Sequence, residues 1–550
     1  MTTSVTKPSA DFSRPGASRS SATPSLVSAQ QLRGMLADGQ EIALVDVREE
    51  LIFSQNHLLL ARSVPLSRFE VRFAQLVPRR GTRIVLCDDG DGLAACAAAI
   101  LAHNGYTNAF VLDGGVAAWA AAGFELFTGV NVPSKAFGEF IEHASGTPSI
   151  AATELEQLIR ERANLVVLDS RPFDEYSRVS IPTAINVPGA ELVLRARDIA
   201  PSPDTMVVVN CAGRTRSIIG AQSLINAGLP NKVVALRNGT MGWSLAGFVC
   251  ENGKNRRAPS YSAKTLDWAR KASQRVAQNC GVKAIDRATF ETLRADTART
   301  LYLFDVRDPA EYEAGHVAGA ISAPGGQLVQ ATDQYVGTLN ARIVLIDDAE
   351  VRALMTASWL RQMGYAEVFV LADAGAETGR PAAPMLEAER RPGAAIDLEL
   401  LGELFSRNAA TIVDVSLSRD YLKDHIPCAW FAIRARLAGA LKKIPLHGTL
   451  VLTSEDGIVA QLTVAEAEAL VDIPVRFLAG GNAAWKAAGY ELSAEPLMAD
   501  EAIDQWRKPY ERGGDTKAAM SEYLAWETDL LPRLARDGSL NFFSATESNS

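Results

Sequence analysis

The sequence predicts an α/β protein in which one three-layer unit, a parallel sheet covered by helices, is repeated four times. Three observations carry that expectation. An apolar run ending in an acidic residue appears at Ala43–Asp46, Val166–Asp169, Tyr302–Asp305 and Thr411–Asp414. A second apolar run follows each of these about forty residues later. Segments of helical character separate the runs.

Each unit opens with a helix-like segment that starts on a small or acidic residue: Ser28-Ala-Gln-Gln-Leu, Ala152-Thr-Glu-Leu, Asp286-Arg-Ala-Thr-Phe and Asp397-Leu-Glu-Leu-Leu. The run ending at Asp46, Asp169, Asp305 or Asp414 follows as the first long strand. The second is Arg83–Cys87, Met206–Asn210, Arg342–Ile346 or Thr449–Thr453. Unbroken apolar runs of this length suit a parallel sheet buried on both faces. An Ala-rich helical segment comes next and closes near Gly105, Gly228, Gly364 or Val471, glycine being suited to a helix C-terminus. A further strand such as Val233–Leu236 leads into a Gly-rich turn and an aromatic residue, as in Asp113-Gly-Gly-Val-Ala-Ala-Trp119, Arg237-Asn-Gly-Thr-Met-Gly-Trp243 and Ala479-Gly-Gly-Asn-Ala-Ala-Trp485. The third unit has only Asp373-Ala-Gly-Ala-Glu-Thr-Gly379 there. Linkers fall near 131–147, 252–280 and 380–394. After Leu497 the pattern changes to a charged, aromatic tail with helical apolar spacing, expected to pack back on the array.

Composition sets the limits. A chain of 550 residues with 47% hydrophobic and 22% charged residues is globular and too long for a single core. The net charge of −9, from 55 basic and 64 acidic residues, argues against a nucleic-acid or anionic-membrane surface and makes any anion site a local one. Six cysteines are scattered without CxxC spacing, which fits reduced thiols in a cytoplasmic protein and neither a disulfide framework nor a zinc site. No stretch approaches the roughly 18 consecutive apolar residues that span a bilayer. The first 24 residues, rich in Ser, Thr, Pro and Ala, lack the apolar centre of a signal peptide and are expected to form a disordered leader.

Asp-Val-Arg after a strand, Glu311-Tyr-Glu-Ala-Gly-His-Val-Ala-Gly-Ala320, a cysteine-containing loop that enters a helix, and a Gly-Gly-x-x-x-Trp ending together resemble the rhodanese (thiosulfate sulfurtransferase) family. The resemblance runs over residues 25 to 497 and implies four tandem rhodanese-like domains, each a five-stranded parallel sheet flanked by helices. The expected boundaries are 25–130, 147–253, 279–385 and 392–497, with 498–550 as the tail. Pairing of domain one with two and three with four is an arrangement the array allows. Oligomeric state stays open.

Only the second unit looks equipped for sulfur transfer. Counting back from the glycine that ends the helix places Asp88 and Asp347 where Cys211 stands; a looser match places Ser454 there, and Cys87 falls one residue too early. The second loop reads Cys211-Ala212-Gly213-Arg214-Thr215-Arg216-Ser217 and enters the helical segment Ile218–Leu224. A thiol attacks as its thiolate, and loop amides, the helix N-terminus and two guanidinium groups all favour S⁻. The same groups suit an anion such as thiosulfate, with Arg216 the better candidate and Arg214 the second for bidentate contacts. Ser217 is expected to cap the helix, to bond the substrate, or both. The sibling loops Asp88-Asp-Gly-Asp91, Asp347-Asp-Ala-Glu350 and Ser454-Glu-Asp456 place carboxylates where that anion would sit, so these three domains are expected to be inactive.

The resemblance implies a double displacement: Cys211 takes sulfane sulfur from thiosulfate or a low-molecular-weight persulfide, then passes it to a thiol or cyanide. A protein partner in sulfur metabolism is compatible with this cycle; no cofactor or metal is called for. A cysteine phosphatase or arsenate reductase would resemble Cys-x5-Arg, but that position is Ser217, while Arg216 gives the shorter Cys-x4-Arg. A 3-mercaptopyruvate sulfurtransferase would resemble Cys-Gly-Ser/Thr-Gly-Val-Thr, which Ala212, Gly213 and Arg214 do not match. The alternative from another class is a sulfur-carrier or protein-interaction scaffold with little turnover, since three units lack the nucleophile. Asp169, Arg171, Trp243, His316, His425 and the other five cysteines read as structural. Arg195 and Arg197 stay outside the site. Unit two carries Ser177-Arg178-Val-Ser-Ile-Pro-Thr-Ala184 where many rhodanese domains have Gly-His, a departure that touches pocket detail and not the cysteine.

Overall fold

The computed structural model describes residues 24–373 and 375–545. Apart from Pro24, the expected leader lies outside the described residues. Four parallel sheets share one strand order. In the second repeat the order runs Ser149–Ile150, Val233–Leu236, Met206–Asn210, Leu165–Asp169, Ile185–Asn186. The long central strands are the β-branched and Leu-rich runs, buried from both faces by flanking helices. The fourth sheet gains a sixth, two-residue strand, Leu497–Met498, paired with Trp430–Phe431. It is held there by the Leu497 amide, which donates to the Tyr421 hydroxyl at 2.8 Å.

The chain falls into two compact units. One holds residues up to Met35, Ile42–Val130 and Ala383–Trp506; the other holds Leu36–Glu41, Asn131–Ala382 and Arg507 onward. The first therefore joins repeats one and four, and the second joins repeats two and three. Pairing of sequence neighbours is corrected on both counts. In the first unit Arg434 of repeat four is buried between Glu70 of repeat one at 2.8 Å and Glu466 at 2.6 Å. In the second unit Arg352 of repeat three is buried against Glu191 of repeat two at 2.8 Å, and the Trp359 indole donates to Ser223 Oγ at 2.9 Å.

Two of the expected linkers are helices. Val132–Ser145 begins after Asn131 in the left-handed region, with Pro133 in its first turn, and stops at Gly146 (φ +61°). Its residues Phe137 and Ile141 join one core with Ile218, Phe304 and Trp359, so a linker between repeats one and two is structural material for repeats two and three. Ala263–Asn279 starts on a Ser262 cap and buries Ala269, Ala272 and Val276 against the helix Val351–Gln362. The signal in both is apolar spacing of three and four residues, diluted by charged residues that the opposite face carries.

One buried acid in the first unit gives a pH-dependent stability. Burial pushes the Glu49 carboxyl up to about 8, aided by Asp504 and opposed by the Ser67 hydrogen bond, Arg68 and Arg436. A glutamate raised above its unfolded value, about 4.3, stabilises fully below that value and loses the contribution as pH rises through its folded value. The stability of this unit against urea is expected to fall as pH rises from about 5 to about 8. Glu49→Gln should flatten that slope; an equally steep slope in the variant would refute the assignment.

Candidate active site

In-register pairing of Leu165–Asp169 with Met206–Asn210 sets Asp169 beside Asn210, whose amide donates to Asp169 Oδ2 at 2.9 Å. Cys211 is the next residue, at the carboxyl edge of the sheet, where open α/β sheets place their ligands. The following helix starts at Thr215, earlier than the expected Ile218, so the loop is only Cys211–Arg214 and both Arg216 and Ser217 lie in the helix's first turn. Cys211 Sγ donates to Ser217 Oγ at 3.5 Å, and that hydroxyl in turn donates to the Arg214 carbonyl at 2.8 Å. The sulfur therefore faces a helix N-terminus.

The closing Gly-rich turn holds the loop from beneath. Thr240 donates to the Cys211 carbonyl through its amide at 2.8 Å and its hydroxyl at 3.0 Å, and the Met241 amide donates to the Ala212 carbonyl at 3.0 Å. Gly239 has φ +54°, and a side chain there would collide with the Cys211 carbonyl. Only glycine serves. The second glycine of the same turn in repeats one and four, Gly115 and Gly481, lies equally against the carbonyls of Asp88 and Ser454.

The two arginines have different partners. Arg214 Nε and Nη2 each donate to Glu139 at 2.7 Å, Nη2 also reaches Glu142, and Nη1 donates to Asn238 at 3.2 Å. Its guanidinium is thus engaged by two carboxylates of the linker helix. Arg216 donates to Glu175 at 2.9 and 3.2 Å and to Gln327 of repeat three at 3.0 Å. Burial opposes its charge, but Glu175 and the neighbouring Cys211 sulfur outweigh that and push it further up. Glu175 is held well below the usual carboxylate range: burial works against it, and Arg216, Lys508 and Arg171 prevail. Thr215 Oγ1 is buried without a hydrogen-bond partner. Ala212 is buried, and Gly213 has no room for a side chain, with Met241 Cε 2.8 Å from where one would begin.

The sibling loops fill the same cradle with oxygen. Asp88 accepts from the amides of Gly90, Gly92 and Ala94 at 2.8, 3.1 and 2.9 Å. Asp347 accepts from Ala349, Arg352 and Ala353 at 3.3, 2.6 and 3.3 Å. Ser454 Oγ accepts from Ala460 at 3.1 Å. Ala94, Ala353 and Ala460 stand six residues after their partners, as Ser217 does after Cys211, so Asp88, Asp347, Ser454 and Cys211 are equivalent positions. In repeats one and three the protein's own carboxylate occupies the anion cradle. Cys87 ends its strand one residue earlier, and burial together with Asp46 pushes its thiol well above the ordinary range.

The tail closes the site, a role the sequence pattern left open. Helix Thr516–Thr528 lays Met520 and Leu524 on Met241, with Tyr510 and Tyr523 packed alongside. Lys508 reaches Glu175 at 3.3 Å. Cys211 is left 2% exposed. The partners of the loop missed from sequence, Glu139, Glu142, Glu175, Gln327 and the tail residues, reach it from other elements and share no local motif with it.

The other residues singled out by the sequence make packing and backbone contacts. Arg171 is locked to Asp169 at 2.7 Å and to the Val179 carbonyl at 2.6 Å. His316 and His425 stack on Tyr312 and Tyr421 and bridge to Glu377 and Ser493; Ser180 takes the corresponding bridge, to Glu251, in repeat two. Trp243 donates to the Val249 carbonyl at 3.1 Å. Arg195 and Arg197 lie over Tyr261 and Trp268. All six cysteines are free thiols. Among the described residues no helix is long and apolar enough to cross a membrane.

A family model described as "Rhodanese-like domain" matches residues 28–122, 151–246 and 288–374. The crystal structure of a thiosulfate sulfurtransferase from Pseudomonas aeruginosa is 46% identical, covers 94% of this chain and 99% of its own, and superposes with a TM-score of 0.91. Among curated proteins, the HTH-type transcriptional regulator Rv0324 of Mycobacterium tuberculosis is 35% identical over 109 residues, 20% of this chain; the chain spans about half, 47%, of that protein's length. The putative sulfur carrier protein YrkF of Bacillus subtilis is 24% identical over 135 residues, 23% of this chain and 71% of its own.

Proposed function

Since the chain belongs to the rhodanese family and is similar over nearly its whole length to a thiosulfate sulfurtransferase, we propose that it transfers sulfane sulfur through Cys211 of its second repeat. In the first half-reaction the Cys211 thiolate attacks the outer sulfur of thiosulfate. A Cys211–S bond forms, the S–S bond of the donor breaks, and sulfite leaves with the electron pair. A low-molecular-weight persulfide donates in the same way and leaves as a thiolate. In the second half-reaction a thiol or cyanide attacks the outer sulfur, and the Cys211 thiolate is regenerated. Arg216, Ser217 and the helix N-terminus stabilise charge on the sulfur and on the donor. Ala212 and Gly213 shape the loop; Arg214, tied to Glu139 and Glu142, and Thr215 fix its entry into the helix.

The observation that carries this proposal is the contrast between equivalent positions. Three loops seat an aspartate carboxylate or a serine hydroxyl in the cradle; one seats a sulfur, with Arg216 beside it. The tail packs on Met241 and beside Gly213, and Cys211 is buried in the described arrangement.

Cyanolysis by the full chain with thiosulfate, glutathione persulfide and mercaptopyruvate tests the proposal. A 147–253 fragment would strip Arg214 and Arg216 of Glu139, Glu142 and Gln327. Thiosulfate or the persulfide should support turnover well above mercaptopyruvate. Absence of turnover with all three would favour a carrier or binding scaffold instead.

A further inference from the structure

The tail does more than cover the loop. Glu527 is 0% exposed. Its Oε1 accepts from the Tyr523 hydroxyl at 3.0 Å and lies 3.4 Å from Lys135 Nζ, while Oε2 has no hydrogen-bond partner. That free oxygen lies 3.2 Å from the point where a side chain on Gly213 would begin, two residues from the nucleophile. A buried carboxylate oxygen left unpaired is costly and calls for a ligand or a chemical role. The helix that carries it also places the Tyr523 ring 3.8 Å from that same point beside Gly213.

Resting on the sulfur-transfer reading above, we propose that Glu527 is the proton acceptor for the thiol that discharges the Cys211 persulfide, with Tyr523 positioning its carboxylate. The thiol R–SH gives its proton to Glu527 Oε2. Its sulfur then forms a bond to the outer sulfur of Cys211–S–S⁻, the bond between that sulfur and Cys211 Sγ breaks, and the electron pair returns to Sγ. The products are R–S–S⁻, the Cys211 thiolate and protonated Glu527, which loses its proton when the product leaves. No oxidant or reductant is consumed. Tyr523 on its own helix, Lys135 and Glu139 on helix Val132–Ser145, and Arg214 of the loop are the charged and titratable groups that act with Glu527. Gly213 is required because any side chain there would fill the gap between Oε2 and the loop.

Glu527→Gln, in the full chain, separates the two half-reactions. Loading of Cys211 from thiosulfate, read by mass spectrometry, should proceed in the variant and prove that the site is assembled. Discharge to glutathione near neutral pH should fall on the order of 10²-fold. Near pH 9.5, above the ordinary thiol value of about 8.5, the acceptor ionises unaided and most of the deficit should vanish. Discharge to cyanide at that pH should match the wild type, and Tyr523→Phe should show a smaller loss with the same pH profile. Discharge by Glu527→Gln at the wild-type rate near neutral pH, or a deficit that persists unchanged at high pH, would overturn the inference. A wild-type chain that takes up no sulfur at Cys211 would instead overturn the sulfur-transfer reading, and this inference with it.

Discussion

Replacing Cys211 by serine is expected to abolish sulfur transfer, a loss of at least about 10³-fold, while leaving the fold intact. A hydroxyl fits the same space and keeps the contact with Ser217, so unfolding should shift by less than about 1 kcal/mol. It cannot hold a sulfane sulfur. The other five cysteines do not substitute for it: Cys87 is one residue out of register, pushed up by burial, and burial pushes Cys280 up to about 11. Steady-state cyanolysis checks the activity and urea unfolding the stability. Retained turnover in Cys211→Ser would place the chemistry elsewhere.

Arg216→Met is the second large effect. Arg216 lies in the first turn of the helix that the Cys211 sulfur faces and interacts with that sulfur, and losing such a charge-stabilising donor costs on the order of 10²-fold or more in loading by an anionic donor. The variant also leaves Glu175 to Lys508 and Arg171, destabilising the second unit by about 3 kcal/mol. The double variant Arg216→Met/Glu175→Gln should recover much of the stability and none of the activity. If activity returns with stability, Arg216 is only a strut. The Arg216–Glu175 pair itself does not limit activity in mild acid. A carboxyl held below its unfolded value, about 4.3, stabilises above that value and loses the contribution only as pH falls through its lower folded value.

The fold was legible because four copies repeat the same order of signals, and errors of register would have to recur independently. Asp46, Asp169, Asp305 and Asp414 each end the expected strand. What could not be read was which repeats meet. Nothing local in Glu70 or Arg434 announces an ion pair between the first and fourth repeats, and the Val132–Ser145 helix reads as linker until Phe137 and Ile141 are seen in the core of repeats two and three.

The site divides in the same way. The loop, its equivalence to Asp88, Asp347 and Ser454, and the place of Cys211 at a helix N-terminus follow from spacing within one repeat. The partners of its arginines do not. Arg214 and Arg216 look alike in sequence, yet Glu139 and Glu142 claim one, and Glu175 with Gln327 the other. These carboxylates come from a linker helix and from a neighbouring helix of the same repeat, and their effect on a guanidinium depends on distance that no local pattern encodes. Likewise, Tyr523 and Glu527 reach the loop from more than three hundred residues away in sequence.

The most direct test of the central claim, that one loop of four carries the sulfur, is peptide-level mass spectrometry of the full chain after brief exposure to thiosulfate. A gain of one sulfur atom is expected on Cys211, removed by cyanide, and none on Cys87, Cys96, Cys250, Cys280 or Cys428. Sulfur on any of those five, or on no cysteine at all, would contradict it.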